Sequence, residues 1–334
     1  MAGKAKPYDP GIEEMVKGIL AGDRRMLSRA ITLVESTMQD HEAKAHAVLD
    51  RCLGMKRESI RIGITGSPGA GKSSFIEVLG EKIIAEGHQL AVLAIDPSSS
   101  RSKGSILGDK ARMEKLAGSR NAFIRPTASS GHLGGTSPRT HETIVLCEAA
   151  GFNVVIVETV GVGQSEITID TMVDFIVLLM LPGSGDELQG IKRGIMEIAD
   201  AIAVTKTDGE QAALAGISRA DFEAALHMLP RKHPFHERKV FLTSALAGTG
   251  IIEVWHEIRD TLSSMRESGM LPSRRRLQLS TLYHEVLENM LKARFFSDPA
   301  VQAARAAIEQ QVLSETLTPY SGAKELLGAF LRQP

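Results

Sequence analysis

The run Ile60–Ser74, IRIGITGSPGAGKSS, constrains this chain more than any other stretch. It opens as a short apolar strand, Ile60 to Thr65. A loop follows, Gly66-Ser67-Pro68-Gly69-Ala70-Gly71-Lys72-Ser73. Behind it lies an amphipathic helix from about Lys72 to Glu86, with Phe75, Ile76, Leu79 and Ile83 on one face. The pattern G-x-x-x-x-G-K-[ST] between a strand and a helix is a P-loop, and the flanks separate it from a chance glycine-rich turn. Glycines let backbone N–H groups turn inward around a phosphate, and the helix N-terminus adds its positive dipole end. Gly66, Ser67, Pro68, Gly69, Ala70, Gly71, Lys72, Ser73 and Ser74 are therefore the expected nucleotide contacts. Lys72 reaches the β- and γ-phosphates, and the Ser73 hydroxyl ligates Mg²⁺.

Around this loop the chain alternates strands and helices from Ser59 to about Asp260. Apolar runs fall at Ile60–Thr65, Leu90–Ile95, Phe123–Ile124, Val154–Val157, Phe175–Leu181, Ala201–Val204 and Val240–Leu242. Runs that are continuously apolar imply burial on both faces, as in a mostly parallel sheet covered by helices. The expected fold is α/β, a P-loop NTPase G domain over residues 59–268 with helical extensions at both ends. Residues 1–58 read as an N-terminal helical extension, from helical spacing at Ile12, Met15, Val16 and Ile19 and again at Leu27, Ala30, Ile31 and Val34. Residues 269–334 read as a C-terminal helical arm, with an apolar stripe through Leu277, Leu279, Leu282, Val286, Leu287 and Met290. Such a stripe without a site is an association surface, or else a cap folded onto its own domain.

Ligands of parallel sheets bind at the carboxyl ends of strands. Four further strand ends carry polar loops: Asp96-Pro97-Ser98, Glu158-Thr159-Val160-Gly161, Thr205-Lys206-Thr207-Asp208 and Thr243-Ser244-Ala245. The third is a variant of the N-K-x-D base-reading loop, with Thr205 where Asn is usual. Asp208 can accept from guanine N1–H and its exocyclic amine; adenine lacks that donor pair and would leave the carboxylate unpaired. The stem of Lys206 lies along the base. Ser244, Ala245 and Leu246 form a short loop whose backbone N–H suits guanine O6. For the metal, Asp96 and Glu158 join Ser73, with Asp109 as a further carboxylate, and Arg112 is a candidate phosphate contact. Asp109 alternatively opens a helix, where its charge suits the dipole. Gly161 offers its N–H to the γ-phosphate. Gln164, not an immediate neighbour of Gly161, is the nearest water-positioning candidate, so intrinsic hydrolysis is expected to be slow. The segment Leu181 to Arg193 is a candidate mobile element, with Lys192 or Arg193 swinging toward the phosphates, or simply a charged helix face.

Lys+Arg number 39 against 40 Asp+Glu, which argues against a nucleic-acid or membrane-surface binder. The single basic run, Arg274-Arg275-Arg276, reads as a solvated helix start. Cys52 and Cys147 fit no metal spacing and are expected to be buried thiols in a reducing cytosol. His233-Pro234-Phe235-His236 reads as a surface loop rather than a metal pair. No secretory or organellar leader is visible at the start, and the longest apolar run is far short of a membrane span, so a cytoplasmic protein is expected.

The motifs GITGSPGAGKSSFIEVLG, AIDPSSSRSKGSILGDKARM, VIVETVGVGQSE, LLMLPGSGDELQGIKRGIMEIAD and VTKTDG together resemble the MeaB/ArgK G proteins over most of the chain. The resemblance implies a metal-dependent GTPase using GTP/GDP and Mg²⁺, and a homodimer joined through the C-terminal arm. The implied partner is adenosylcobalamin-dependent methylmalonyl-CoA mutase, whose cofactor loading the protein would gate and which it would protect from inactivation. By the same resemblance Ser73, Asp96, Asp109 and Glu158 surround Mg²⁺, while Gly66 to Ser74, Asp208 and Ser244 to Leu246 contact the nucleotide. Two rival readings use the same loop: a small-molecule kinase, and a nucleotide-stabilised scaffold with incidental hydrolysis.

Overall fold

The computed structural model of the chain describes residues 10–36, 38–55, 57–96, 113–128, 137–159, 169–184, 193–233 and 236–331. Seven strands form one sheet: β1 (Ile60–Gly66), β2 (Leu90–Asp96), β3 (Ala122–Ala128), β4 (Val154–Thr159), β5 (Phe175–Met180), β6 (Ala201–Val204) and β7 (Lys239–Leu242). Their order is β3-β2-β4-β1-β5-β6-β7, and every neighbouring pair is parallel. Each strand lies on an apolar run read from the sequence. β1 is central. The chain leaves it toward β2 and β3, returns through β4, and crosses to β5 on the other side. That reversal opens a crevice at the carboxyl edge of β1, where ligands of open α/β sheets bind.

The helices of this part are α1 (Ile12–Leu20), α2 (Arg24–Glu35), α3 (Gln39–Leu53), α4 (Lys72–Ala85), α5 (Glu114–Gly118), α6 (Ser137–Ala149), α7 (Arg193–Ile198), α8 (Ala212–His227) and α9 (Ile251–Glu267). β4 shows why strands such as β4 and β5 are so apolar. Val155 and Val157 enter a core shared with α1, α2, α3 and α6, whereas Val154 and Ile156 enter another with Phe75, Leu79, Trp255 and Ile258 of α4 and α9. With side chains alternating across the sheet, both faces are buried. Cys52 and Cys147 are free thiols in the first core, as expected, and burial pushes both up in pKa.

The amino edge of the sheet carries a buried ionic network. Asp174, just before β5, accepts from Arg61 N at 2.9 Å and from Arg275 Nη2 at 2.6 Å. Asp200, just before β6, accepts from Ile176 N at 2.8 Å, Lys232 Nζ at 2.9 Å and the His233 ring at 3.1 Å. Burial pushes the Asp200 carboxyl up, but the Lys232 charge, the His233 hydrogen bond and Arg274 outweigh it and hold it at about 2. This network corrects two expectations. Arg274 and Arg275 are not a solvated helix start: Arg274 pairs with Asp170 at 2.8 Å, and only Arg276 stays exposed. His233 and His236 do not sit in a surface loop. Both are largely buried: the His233 ring meets the Asp200 carboxylate, and the His236 ring meets the Asp200 main-chain carbonyl at 3.3 Å and the Thr261 hydroxyl at 3.1 Å.

The described residues as far as Leu279 form one compact unit, and those from Ser280 onward a second. Helix α10 (Met270–Ser297) is followed by α11 (Pro299–Leu313) and α12 (Pro319–Leu331). Asp298 caps α11, accepting from Ala300 N and Val301 N, with Pro299 at the first helical position. Gly322 lets α12 approach α11: a Cβ there would lie 2.8 Å from Val312 Cγ2. Tyr283, Met290, Leu291, Leu313 and Leu331 of this unit are exposed. No described helix is long and apolar enough to cross a membrane.

Candidate nucleotide site

The site is built on the carboxyl edge of β1. Gly66 ends the strand at φ +151°, and a Cβ on it would meet Leu179 O of β5 at 2.3 Å, so only glycine passes there. Gly69 and Gly71 take φ of +81° and +79°, which turn the chain back on itself and start α4 at Lys72. Lys72 Nζ folds over the loop and donates to Gly66 O at 2.9 Å and Ser67 O at 3.2 Å. The Ser67 hydroxyl is buried and finds no hydrogen-bond partner among the described residues. A buried hydroxyl left unbonded is costly, so it fits a loop shaped to receive an oxyanion from outside.

Glu158, 4% exposed at the end of β4, accepts from Ser73 Oγ at 3.3 Å. Behind it Thr159 Oγ1 donates to Thr65 Oγ1 at 3.0 Å, tying the ends of β4 and β1. A hydroxyl and a carboxylate thus meet beside the phosphate loop. Both are hard oxygen donors, and they fit an ion that takes the remainder of its octahedron from phosphate and water, as Mg²⁺ does.

The base-reading loops close the other side. Thr205 Oγ1, buried, donates to Ala70 O at 2.7 Å and lies 3.2 Å from Met180 O. Lys206 follows at φ +57°, a left-handed turn. Asp208 Oδ1 accepts from Ser244 Oγ at 2.5 Å, and Ser244 Oγ accepts from Ala247 N at 3.0 Å. Gly250 at φ +73° closes that turn where a Cβ would meet Leu242 O. Between the loops lies a cavity of about 400 Å³. Ala70, Gly71, Ser74 and Phe75 form one wall; Thr205, Lys206, Asp208, Ala245 and Leu246 form the other, with Gln211 at its edge. A phosphate loop at one end and a fixed carboxylate at the other suit a purine nucleotide lying across both.

The structure thus gathers Gly66 to Ser74, Glu158, Lys206, Asp208, Ser244, Ala245 and Leu246 at one edge of the sheet. Asp96 is the last residue of β2, which pairs with β4 rather than β1. Asp109, Arg112, Gly161, Gln164 and Lys192 lie outside the described residues, and Arg193 opens α7. Three contributors were not read from the sequence: the Thr205 tie to the phosphate loop, the Thr65–Thr159 hydroxyl pair, and Gln211. The only local signal for the first two is threonine at a strand end.

The family model described as methylmalonyl Co-A mutase-associated GTPase MeaB matches residues 27–300. A probable GTPase of Mycobacterium bovis is 43% identical over 319 residues, covering 96% of this chain and 95% of that one. The mitochondrial methylmalonic aciduria type A homolog of Mus musculus is 43% identical over 330 residues, covering 96% and 79%. A crystal structure described as LAO/AO transport system kinase superposes with a TM-score of 0.78 at 36% identity, covering 98% of this chain and 100% of that one.

Proposed function

This chain belongs to the MeaB family of GTPases, and from that premise we propose that it times the servicing of an adenosylcobalamin-dependent methylmalonyl-CoA mutase by hydrolysing GTP. The observation that carries the nucleotide part is one cavity bordered by both the phosphate loop and Asp208. Lys72 and the inward N–H groups of the loop bind and orient the β- and γ-phosphates. Asp208 accepts from the guanine edge, Lys206 lies along the base, and the Ser244-Ala245-Leu246 turn offers its backbone to O6. Mg²⁺, held by Ser73 with Glu158, Asp96 and Asp109, would neutralise charge on the β- and γ-phosphate oxygens. Gly161 reads the γ-phosphate through its N–H, and Arg112 and Lys192 are further phosphate contacts.

The γ-phosphate orders the polar loops, hydrolysis releases them, and the mutase senses the difference. In this reading GTP hydrolysis gates cofactor loading and protects the mutase. The protein acts in the cytoplasm as a homodimer joined through residues 269–334, where apolar side chains stand exposed. The coupling is reciprocal, so mutase binding must change nucleotide affinity or the occupancy of the loops. The kinase description attached to the superposing structure concerns that protein, and phosphate release without an acceptor separates the two readings. The test is nucleotide selectivity and turnover with and without the mutase. GTP should be preferred over ATP, turnover should rise on mixing, and Lys72→Ala should lower it by about 10²–10³-fold. Equal mutase affinity for the GDP and GTP-analogue forms, with turnover unchanged on mixing, would refute the timer.

A further inference from the structure

A second cavity, of about 320 Å³, opens at the opposite edge of the sheet. Arg24, Arg57, Arg120 and Gln89 line it. Gln89 and Arg120 lie just before β2 and β3, Arg57 before β1, and Arg24 opens α2. The phosphate loop follows the far end of β1. Seven residues of strand at about 3.3 Å each put the two cavities roughly 20 Å apart, so this one takes no part in the site already described.

Its charge is unlike that of the whole molecule. The chain carries a formal net charge of −1, yet among the described residues this cavity is lined by three that bear guanidinium groups and by no carboxylate. Two acids adjoin these arginines in sequence: Asp23 is occupied in capping α2, accepting from Arg25 N and Met26 N, and Glu58, next to Arg57, is not among the described lining residues. Arg24 is held in place, donating to Ser119 O at 3.4 Å and to Arg120 O. Arg57 lies against Gly151, whose missing Cβ would be 3.4 Å from Arg57 Nη1 and whose φ of +98° favours glycine. Neither Arg57 nor Arg120 has a carboxylate partner among the described residues. Planar guanidinium forks suit oxyanions presented in pairs. Three of them around a space for one small molecule call for high charge per volume, which phosphate provides at nearly two charges per terminal group.

We propose that Arg24, Arg57 and Arg120 form a second binding site, for a compact ligand bearing two or more phosphate charges. Among the described lining residues Phe152 is the sole aromatic and is itself buried in the core, so the site reads the phosphate groups and not a base.

The test is calorimetric titration of the full chain with inorganic pyrophosphate, in magnesium-free buffer at constant ionic strength, with the nucleotide cavity saturated by GDP. One saturable event per chain is expected. The double variant Arg57→Gln/Arg120→Gln should weaken it at least about tenfold. Both side chains are exposed, so the variant should fold, and its circular dichroism and GDP affinity should match the wild type. No saturable binding, equal affinity in the double variant, or citrate binding as tightly as pyrophosphate would each overturn the proposal. GDP affinity, measured in the same series, reports separately on the nucleotide site.

Discussion

Thr205 donates its hydroxyl to the carbonyl of Ala70 at 2.7 Å, joining the base-reading loop to the phosphate loop through one buried hydrogen bond. The two ends of the nucleotide cavity are thereby fixed relative to each other before any ligand enters. Valine at 205 keeps the shape but leaves the Ala70 carbonyl without its donor, a cost of about 1–3 kcal/mol. Thr205→Val should lower GDP affinity about tenfold or more, while Thr205→Ser should stay near the wild type. Fluorescent GDP titration decides; equal affinity in both variants would mean the tie has no bearing on binding.

In the proposed site, Asp208 is the residue we assign to guanine recognition. Its carboxylate faces the base end of the cavity and is oriented by Ser244 Oγ at 2.5 Å. Asparagine replaces one acceptor with a donor, which meets a guanine donor but suits the oxygen that xanthine carries at C2. Asp208→Asn should weaken GDP about 10–100-fold and strengthen xanthosine diphosphate. Competition titrations with both nucleotides measure the ratio. A variant that weakens both alike would show that Asp208 supports the loop without reading the base.

The sheet was legible because burial on both faces leaves a mark in its inner strands: Val154 to Val157 and Phe175 to Met180 have no polar interruption to mistake for a turn. The phosphate loop was legible because its glycines and Lys72 do their work within eight residues. The partners of Arg274 and Arg275 were not, since Asp170 and Asp174 lie 104 and 101 residues upstream and a local reading sees only three arginines at a helix start. Thr205 was opaque for the same reason, with Ala70 135 residues away. His233 and His236 read as a surface loop because their shared partner, Asp200, lies 33 and 36 residues upstream. What the chain hides is pairing at a distance between groups whose types are individually unremarkable.

Gly66 and Gly87 separate backbone conformation from crowding. Both have positive φ, +151° and +90°, but a Cβ on Gly87 meets nothing within 4 Å, whereas one on Gly66 meets Leu179 O at 2.3 Å. Gly87→Ala should cost about 1 kcal/mol from conformation alone. Gly66→Ala adds a clash with the backbone of the neighbouring strand and should cost about 3 kcal/mol or more, with loss of nucleotide binding. Urea unfolding of the two variants compares them directly. Equal losses would mean that β1 and β5 part readily at the phosphate loop.

Asp200 sets the acid limit of the fold. Its carboxyl is held at about 2 in the folded chain against 3.8 as its ordinary value. A depressed folded pKa means that the ionised form is favoured by folding. The stability it contributes is complete above about pH 5 and is lost as pH falls through about 2, a contribution of about 2 kcal/mol. Removing the charge also leaves Lys232 and His233 without their partner, so Asp200→Asn should be destabilised at neutral pH by about 3 kcal/mol or more. The gap between wild type and variant in urea unfolding should be widest at pH 7 and should narrow by about 1.5 kcal/mol between pH 5 and pH 2.5. A gap that stays constant over that interval would show that the ion pairs around Asp200 add nothing to folding beyond their hydrogen bonds.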